Sequence, residues 1–274
     1  MADCGNCPSK GECKSQDSCG IKNNPYSNVK RVIGVMSGKG GVGKSTISVL
    51  IAKELKKQGF KVGIMDADIT GPSIPRLMGV KDGRVEQSEL GIIPVQADGI
   101  SVMSLNLLLS DETQPVIWRG PIIAGTVKQF WEEVFWGELD YLIIDLPPGT
   151  GDVALTVMQS IPISGMVIVS VPQDMVSMIV AKAVNMIRTM KIPLIGVVEN
   201  MSYLTCPDCG KRIELFSGTR GAFEKELDVA LLGELPMLPA IADITKLGLG
   251  EQDDQTNKTI ADITAKVMNA VAIK

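Results

Sequence analysis

The amino-acid sequence predicts an α/β fold, in which a mostly parallel sheet carries helices on both faces and follows a short cysteine-rich extension. Three observations predict it. Short apolar runs alternate with helical patterns, a glycine-rich loop joins the first run to the first helical pattern, and four of the six cysteines lie within the first nineteen residues. A chain of 274 residues is long enough for one large α/β domain with a substantial core.

Short apolar runs are typical of parallel strands that are buried on both faces. They lie at residues 32–36, 61–65, 141–145, 166–170 and 194–198, with a further short candidate at 229–232. Strands that alternate with helices imply a mostly parallel sheet with helices on both faces.

Helical periodicity follows the first apolar run. Its buried stripe consists of Ile47, Leu50, Ile51 and Leu55, and Gly59 is a suitable helix stop. Further helical patterns cover residues 121–135, 179–190 and 256–271. No element is predicted for the region rich in glycine, proline and aspartate that runs to about residue 115.

Residues 1–28 are expected to form a unit separate from the main domain, residues 29–274. The first unit is rich in Cys, Gly, Lys and Ser and has no apolar periodicity, so it cannot order itself without a metal. Residues 23–28 have the composition of a linker.

Composition excludes several kinds of chemistry. The chain has no histidine, so imidazole is neither a base nor a metal ligand, and a soft-metal site must use thiolates. A net charge of −4 does not indicate a nucleic-acid binder. There is no signal-peptide core, and the longest apolar stretch, residues 161–172, is too short to cross a membrane. We therefore expect a soluble cytoplasmic protein with reduced cysteines.

The glycine-rich loop matches the phosphate-binding pattern G-x-x-x-x-G-K-S/T of P-loop NTPases. Its residues are Gly38, Lys39, Gly40, Gly41, Val42, Gly43, Lys44, Ser45 and Thr46. Its backbone N–H groups and the following helix dipole favour ATP phosphates. Lys44 is expected to contact the β- and γ-phosphates and the Ser45 hydroxyl to hold Mg²⁺. The alternative is a glycine-rich turn that binds no ligand.

Three carboxylates follow apolar runs near this loop. Asp145 is placed to orient Mg²⁺ or its waters, and the backbone N–H of Gly149 could contact a γ-phosphate and so sense hydrolysis. Asp66 and Asp68 end the neighbouring strand, and without histidine a carboxylate is the natural group to orient the attacking water. The alternatives are a turn-capping aspartate at 145 and solvated loop carboxylates at 66 and 68.

Two sets of motifs resemble known families. The run K-G-G-V-G-K-S-T at residues 39–46 resembles the deviant Walker loop of the MinD, ParA and nitrogenase-iron-protein class. Residues 66–73, 118–121, 136–152 and 200–209 are similar, in that order, to segments of the Mrp/ApbC family of iron–sulfur cluster carrier ATPases. The resemblance covers residues 30–274.

The resemblance implies a role for each matching position. Lys39 would reach across a homodimer to the nucleotide of the partner subunit. Asp68 would activate the water, and Asp66 would support Mg²⁺. Asn200 and the loop 236–239, which begins at Pro236, would contact adenine. Slow, switch-like ATP hydrolysis would accompany delivery of a cluster to apo iron–sulfur proteins, with an upstream scaffold as a further partner.

The resemblance also implies that Cys206 and Cys209 pair with the same two cysteines of a second subunit around a [4Fe–4S] cluster. Counting ligands leads to the same arrangement, because a cubane cluster or tetrahedral zinc needs four thiolates and a two-fold axis doubles one CxxC pair. Zinc bridging two subunits and a free or redox-active thiol pair remain as alternatives.

The N-terminal cysteines have the spacing C-x₂-C-x₅-C-x₅-C, at Cys4, Cys7, Cys13 and Cys19. The first three resemble the N-terminal cluster motif of the cytosolic scaffold branch of the family. That branch has a further cysteine upstream of its CxxC, whereas this sequence offers Cys19 downstream. A second [4Fe–4S] cluster is expected here, with zinc or an unligated tail as the alternatives.

Two other function classes compete with a cluster carrier. A MinD- or ParA-type positioning ATPase needs a basic membrane- or DNA-binding face, but the last helix has only Lys258, Lys266 and Lys274 beside Asp262. An ATP-driven electron donor like the nitrogenase iron protein has cluster ligands that lie far apart in sequence rather than in a CxxC. The sequence therefore favours a carrier that binds neither nucleic acid nor a membrane.

Overall fold

A nine-stranded sheet forms the centre of the computed structural model, which describes residues 23–69, 71, 73–108, 120–172, 176–206, 208–215, 226–237 and 253–272. The strands are β1 (Asn28–Val29), β2 (Val32–Ser37), β3 (Val62–Asp66), β4 (Glu86–Ser88), β5 (Gly91–Ile93), β6 (Val95–Ala97), β7 (Ile100–Met103), β8 (Glu138–Leu139), β9 (Tyr141–Asp145), β10 (Gly165–Ser170), β11 (Leu194–Thr205), β12 (Arg212–Glu214) and β13 (Leu231–Pro236). The helices are α1 (Lys44–Lys57), α2 (Ile74–Leu77), α3 (Gly120–Glu133), α4 (Asp152–Ser160), α5 (Val176–Thr189) and α6 (Asp254–Ala270).

The sheet has the strand order β12-β11-β10-β2-β9-β3-β7-β6, and β13 also pairs with β11. The pairs from β11 through β10, β2, β9 and β3 to β7 are parallel, as is β11 with β13. Only the outer pairs β6–β7 and β11–β12 of this sheet are antiparallel. The predicted mostly parallel sheet is therefore confirmed.

Every residue of β2, β3, β9 and β10 is buried. Because successive strand residues point to opposite faces, both faces of the central sheet are covered. Helix α1 packs against α6, and α3 packs against α4. The apolar stripe predicted for α1 is buried, with Leu55 and Ile51 among its most enclosed members.

The observed bounds refine the predictions. All five predicted strands are present, but β11 continues seven residues beyond the predicted end, to Thr205. The short candidate at 229–232 is a strand that begins at Leu231 and ends at Pro236. The region for which no element was predicted contains β4 to β7 and α2. Helix α6 begins after Asp253, whose carboxylate accepts from the Thr256 backbone N–H.

Residues 23–28, which have the composition of a linker, lie against the main domain. Asn24 is buried, and its side-chain amide donates to the carbonyls of Leu90 and Glu133. The Ser27 hydroxyl accepts from the backbone N–H of Trp136. The described residues do not include Cys4, Cys7, Cys13 and Cys19. The cluster that these cysteines are expected to bind, and the boundary at residue 28, therefore stay predictions. Among the helices described, none combines the length and apolarity that crossing a membrane requires.

Candidate functional site

The phosphate-binding loop connects β2 to α1, as its motif requires. Gly41 and Gly43 have φ of 78° and 81°, a left-handed conformation that only glycine adopts without strain. Gly43 is also the N-cap of α1, and no side chain caps the helix there. The first turn of α1 therefore presents backbone N–H groups, and the positive end of its dipole, to the cleft in front of the loop.

Asp145 binds one ammonium group and two hydroxyl groups on the buried side of this site. Its Oδ2 lies 2.8 Å from Lys44 Nζ and accepts from Ser45 Oγ at 2.5 Å. Its Oδ1 accepts from Ser48 Oγ at 2.8 Å. The carboxylate is fully buried, so it needs these partners. The contact with Ser45 places together the hydroxyl and the carboxylate that are predicted to hold Mg²⁺.

Asp68 faces the cleft, whereas Asp66 lies behind it. Asp68 Oδ2 is 3.7 Å from Lys44 Nζ, and Asp68 lines the cleft. Asp66 is 1% exposed and accepts from the backbone N–H groups of Asp68 and Ile74 and from Ser104 Oγ. Both oxygens of Asp66 therefore hold protein groups, so it would support Mg²⁺ by fixing the Asp68 loop.

Burial and the nearby Asp145 raise the pKa of Asp66 to about 8, because both disfavour its charged form. Lys44 acts in the opposite direction and Asp68 in the same direction as Asp145, both as smaller effects. Asp66 is therefore largely protonated at neutral pH, and one fewer negative charge lies beneath the phosphate site.

The cleft in front of the loop has a volume of about 410 Å³. Ser37, Gly40, Gly41, Lys44, Ser45 and Thr46 line it from the loop side. Gly71, Ser73 and Arg76, from α2 and the segment before it, line the other side. Sequence reasoning missed these three, although Gly71 and Ser73 lie in the motif that begins at Asp66. The cleft fits a nucleoside triphosphate with Mg²⁺, because it combines the glycine-rich loop, Lys44 and the Ser45–Asp145 pair.

Gly149 has φ of 83°, and its backbone N–H donates to the Ser37 carbonyl at 2.8 Å. The expected contact of this N–H with a γ-phosphate would require that bond to break. Lys39 follows Gly38 in the loop, and its carbonyl accepts from Ser37 Oγ. Gly38 itself lies close to Ile179 of α5, where a Cβ atom would overlap the Ile179 side chain.

Asn200 lies behind the loop rather than in the cleft. Its Nδ2 donates to the Val42 carbonyl at 2.9 Å, and its Oδ1 is buried and accepts no hydrogen bond from the described residues. Pro236 ends β13 beside Tyr203, and the Met237 backbone N–H donates to the Tyr203 carbonyl. Adenine contacts by Asn200 and Pro236 stay predictions, and the unused Asn200 oxygen is an acceptor that suits an amino group.

Cys206 and Cys209 lie in the hairpin between β11 and β12. The Cys206 backbone N–H donates to Lys211, and its carbonyl accepts from Gly210, whose φ is 68°. Backbone N–H groups of Cys209 and Asp208, and then the Cys209 side chain, lower the pKa of the Cys206 thiol by hydrogen bonding to its sulfur. Cys206 is half-buried and Cys209 exposed. This turn fits thiolate ligation of a metal or cluster.

Two thiols do not complete a four-thiolate site. Within the described ranges, no third cysteine or carboxylate joins them in a group that could hold a metal ion. Any further ligands must come from outside those ranges or from a second chain.

Comparison with known proteins gives a consistent family. A family model described as ParA, NUBPL iron-transfer P-loop NTPase, matches residues 28–272. The iron-sulfur cluster carrier protein of Clostridium perfringens is 45% identical over 269 residues, which cover 92% of this chain and 94% of that protein. The iron-sulfur cluster carrier protein of Methanocaldococcus jannaschii is 47% identical over 245 residues, covering 85% and 83%.

Solved structures show the same fold. A nucleotide-binding protein from Archaeoglobus fulgidus in complex with ADP is 41% identical, with a TM-score of 0.70 over 85% of this chain and 88% of that one. The cell division ATPase MinD of Pyrococcus furiosus has a TM-score of 0.63 over 88% of this chain and 99% of that one, at 21% identity. At this lower identity, the likeness to MinD concerns the fold alone.

Proposed function

The chain belongs to the NUBPL iron-transfer family of ParA-type P-loop NTPases, and from this premise we propose that it is an ATP-dependent homodimeric carrier of a [4Fe–4S] cluster. Two subunits would hold the cluster through Cys206 and Cys209 and pass it to apo iron–sulfur proteins. The observation that carries the proposal is the joining of a complete phosphate site to half of a thiolate site in one domain.

The nucleotide side follows from the cleft. Lys44 would leave Asp145 to contact the β- and γ-phosphates, and Ser45 and Asp145 would hold Mg²⁺, which neutralises charge on the phosphate oxygens. Asp68 would orient the attacking water. The water oxygen would bond to the γ-phosphorus while the bond from that phosphorus to the bridging oxygen breaks. ADP would leave with the electron pair of that bond, and the phosphate product would keep the two protons of the water.

The cysteine hairpin supports the proposed binding of a cluster. The N–H groups that hold the pKa of Cys206 low favour the thiolate form, which is the form that binds iron. A two-fold partner would bring its own pair of thiols to the same place and complete four ligands. We further propose that Lys39 contacts the nucleotide of the partner subunit and that a second [4Fe–4S] cluster is bound by Cys4, Cys7, Cys13 and Cys19. The carrier would receive its cluster from an upstream scaffold protein, in the cytoplasm.

Anaerobic reconstitution with iron and sulfide tests this function. We expect the wild-type protein to hold both metals and to activate an apo-dehydratase, whereas Cys206→Ala keeps only the iron of the N-terminal cysteines. Asp208→Asn is the matched control, because it stays in the same turn and keeps the backbone N–H near Cys206. Iron in Cys206→Ala equal to that of wild type would refute the bridging site.

The same preparation separates the alternatives. If the purified protein is colourless and contains zinc, the two subunits are bridged by zinc rather than by a cluster. Reduction of a partner protein, coupled to ATP turnover and without loss of cluster, would indicate an electron donor like the nitrogenase iron protein.

A further inference from the structure

Strand β11 runs from a contact with the phosphate loop to the cysteine hairpin. Asn200 and Met201, in the second half of the strand, both approach the phosphate loop at Gly43. A Cβ atom at Gly43 would overlap Asn200 Nδ2 and would lie 3.6 Å from Met201 Cε. The strand ends at Thr205, and Cys206 follows directly. Five residues, 201–205, therefore lie between the phosphate-loop contact at Asn200 and the first thiol.

Two consecutive residues of a regular strand cannot face the same neighbour, because their side chains alternate between the two faces. Met201 makes this possible with φ of 53°, a left-handed conformation that is uncommon for a residue with a long side chain. The pairing of β11 with β13 shifts register at the same place, between Glu199 and Tyr203. We call residues 200–202 the joint.

The joint divides β11 into two parts. Residues 194–199 before it pair with β10 in the central sheet. Residues 203–205 after it pair with β12 and carry the cysteine hairpin. Within the joint, Ser202 Oγ donates to the Glu199 carbonyl, a local bond that helps to hold the bend. The joint therefore contributes to the orientation of the hairpin relative to the sheet.

The hairpin is also tied to β13. Arg212 of β12 lies 2.5 Å from Glu234 Oε2 and stacks over the Tyr203 ring, with its guanidinium carbon 3.8 Å from the ring centroid. The Met237 backbone N–H, just after β13, donates to the Tyr203 carbonyl. Glu234 is itself the register partner of Glu199, in the part of β11 before the joint, so a change at the joint would shift the hairpin against this tie to the central sheet.

We propose that Met201 is a positioning residue, through which occupancy of the phosphate loop changes the accessibility of Cys206 and Cys209 within one subunit. Bound phosphates would draw the N–H groups of the loop toward the cleft. Val42 and Gly43 would move with the loop, and their neighbours in the joint, Asn200 and Met201, would shift in response. The inference rests on the proposed function in that the two thiols bind the cargo, but it does not require transfer to succeed.

The test measures the alkylation rates of Cys206 and Cys209 by iodoacetamide in full-length apo-protein, resolved by peptide mass spectrometry. Rates are compared without nucleotide and with saturating Mg²⁺ and a non-hydrolysable ATP analogue, so that differences in affinity do not matter. We expect the analogue to change the wild-type rate at least about fivefold, the lower end of usual allosteric coupling.

Two variants remove the contact in different ways. Met201→Ala keeps the left-handed backbone under strain but withdraws the side chain from Gly43, and Met201→Gly also lets the joint relax. Both are expected to bring the ratio of rates close to one, whereas Met201→Leu, which keeps an apolar side chain but lacks the Cε atom that approaches Gly43, restores only part of it. Lys191→Gly is the matched control, since Lys191 is another left-handed residue, with φ of 57°, in an exposed turn after α5.

An equal nucleotide effect in wild type, Met201→Ala and Met201→Gly would overturn the inference. No nucleotide effect in the wild-type protein, with binding of the analogue verified, would overturn it as well. If coupling is present but reconstituted protein fails to activate an apo-target, the carrier function fails and the inference stands.

Discussion

The Asp66 carboxyl group shows how burial decides the role of a single residue. It ends β3 beside Asp145, and the two residues are register partners in adjacent strands. Two charged carboxylates so close together, with Lys44 as the nearby cation, would leave one negative charge poorly compensated. The site avoids this by keeping a proton on Asp66, while Asp145 stays paired with Lys44. Asp66 then supports the backbone of the Asp68 loop.

The raised pKa makes a prediction about stability in nucleotide-free protein with EDTA. The unfolded carboxyl titrates near 3.8 and the folded one near 8. In this interval the folded state holds a proton that the unfolded state has lost, so the free energy of unfolding falls as pH rises. Urea denaturation from about pH 5 to about pH 8 should show a shallower decline for Asp66→Asn than for wild type.

Asp140→Asn is the control for this titration. Lys30 and the Lys61 backbone N–H lower the pKa of Asp140, so it stabilises the fold above its unfolded pKa and loses that contribution only in acid. Its substitution should leave the decline toward pH 8 unchanged. Equal slopes for Asp66→Asn and wild type would contradict the assignment of the proton to Asp66.

At the scale of elements, α1 and β11 meet through the phosphate loop. Gly43 is the N-cap of helix α1, and a Cβ atom there would overlap the Asn200 side chain of β11. The loop and the strand therefore pack together only if residue 43 has no side chain. The loop motif alone explains this glycine by phosphate approach. The structure adds a second reason, which is contact with the strand that carries the thiols.

A comparison of Gly43→Ala with Gly41→Ala tests whether the contact with Asn200 requires a glycine at residue 43. Both glycines have left-handed φ, so each alanine should cost about 1–2 kcal/mol of stability through backbone strain. At Gly41 a Cβ would meet nothing within 4 Å, whereas at Gly43 it would displace Asn200. Urea denaturation should therefore show a larger loss for Gly43→Ala. Equal losses would mean that the contact with Asn200 contributes little.

At the scale of the whole molecule, both candidate sites lie at one edge of the sheet. The phosphate loop follows β2, Asp68 follows β3, Asp145 ends β9 and the cysteine hairpin follows β11, and these strands are parallel. A second copy placed across this edge could meet Lys39 and the two thiols at once. One two-fold axis would then serve both the proposed trans-acting lysine and the proposed bridging cluster.

Self-association tests this arrangement. With Mg²⁺ and a non-hydrolysable ATP analogue, sedimentation equilibrium should show a dimer whose Kd rises about thirtyfold in Lys39→Ala, equivalent to about 2 kcal/mol for a lost buried charge contact. Lys57→Ala is the control, because Lys57 is exposed at the end of α1 and its Nζ lies 4.0 Å from the carboxylate of Glu54 on the same helix. A dimer equally strong in Lys39→Ala would exclude its role across the interface.

Sequence patterns alone predict the central strands, the phosphate loop, the strand-end aspartates and the CxxC pair, because each is set by local periodicity or by a contiguous motif. Three other features become visible only in the folded chain: Asn200 lies against Gly43, Asp66 is buried beside Asp145, and Arg76 lines the cleft. These facts depend on contacts between residues far apart in the chain, which local patterns do not encode. The left-handed conformation of Met201 is of the same kind, since methionine has no preference for it and no local sequence pattern predicts it.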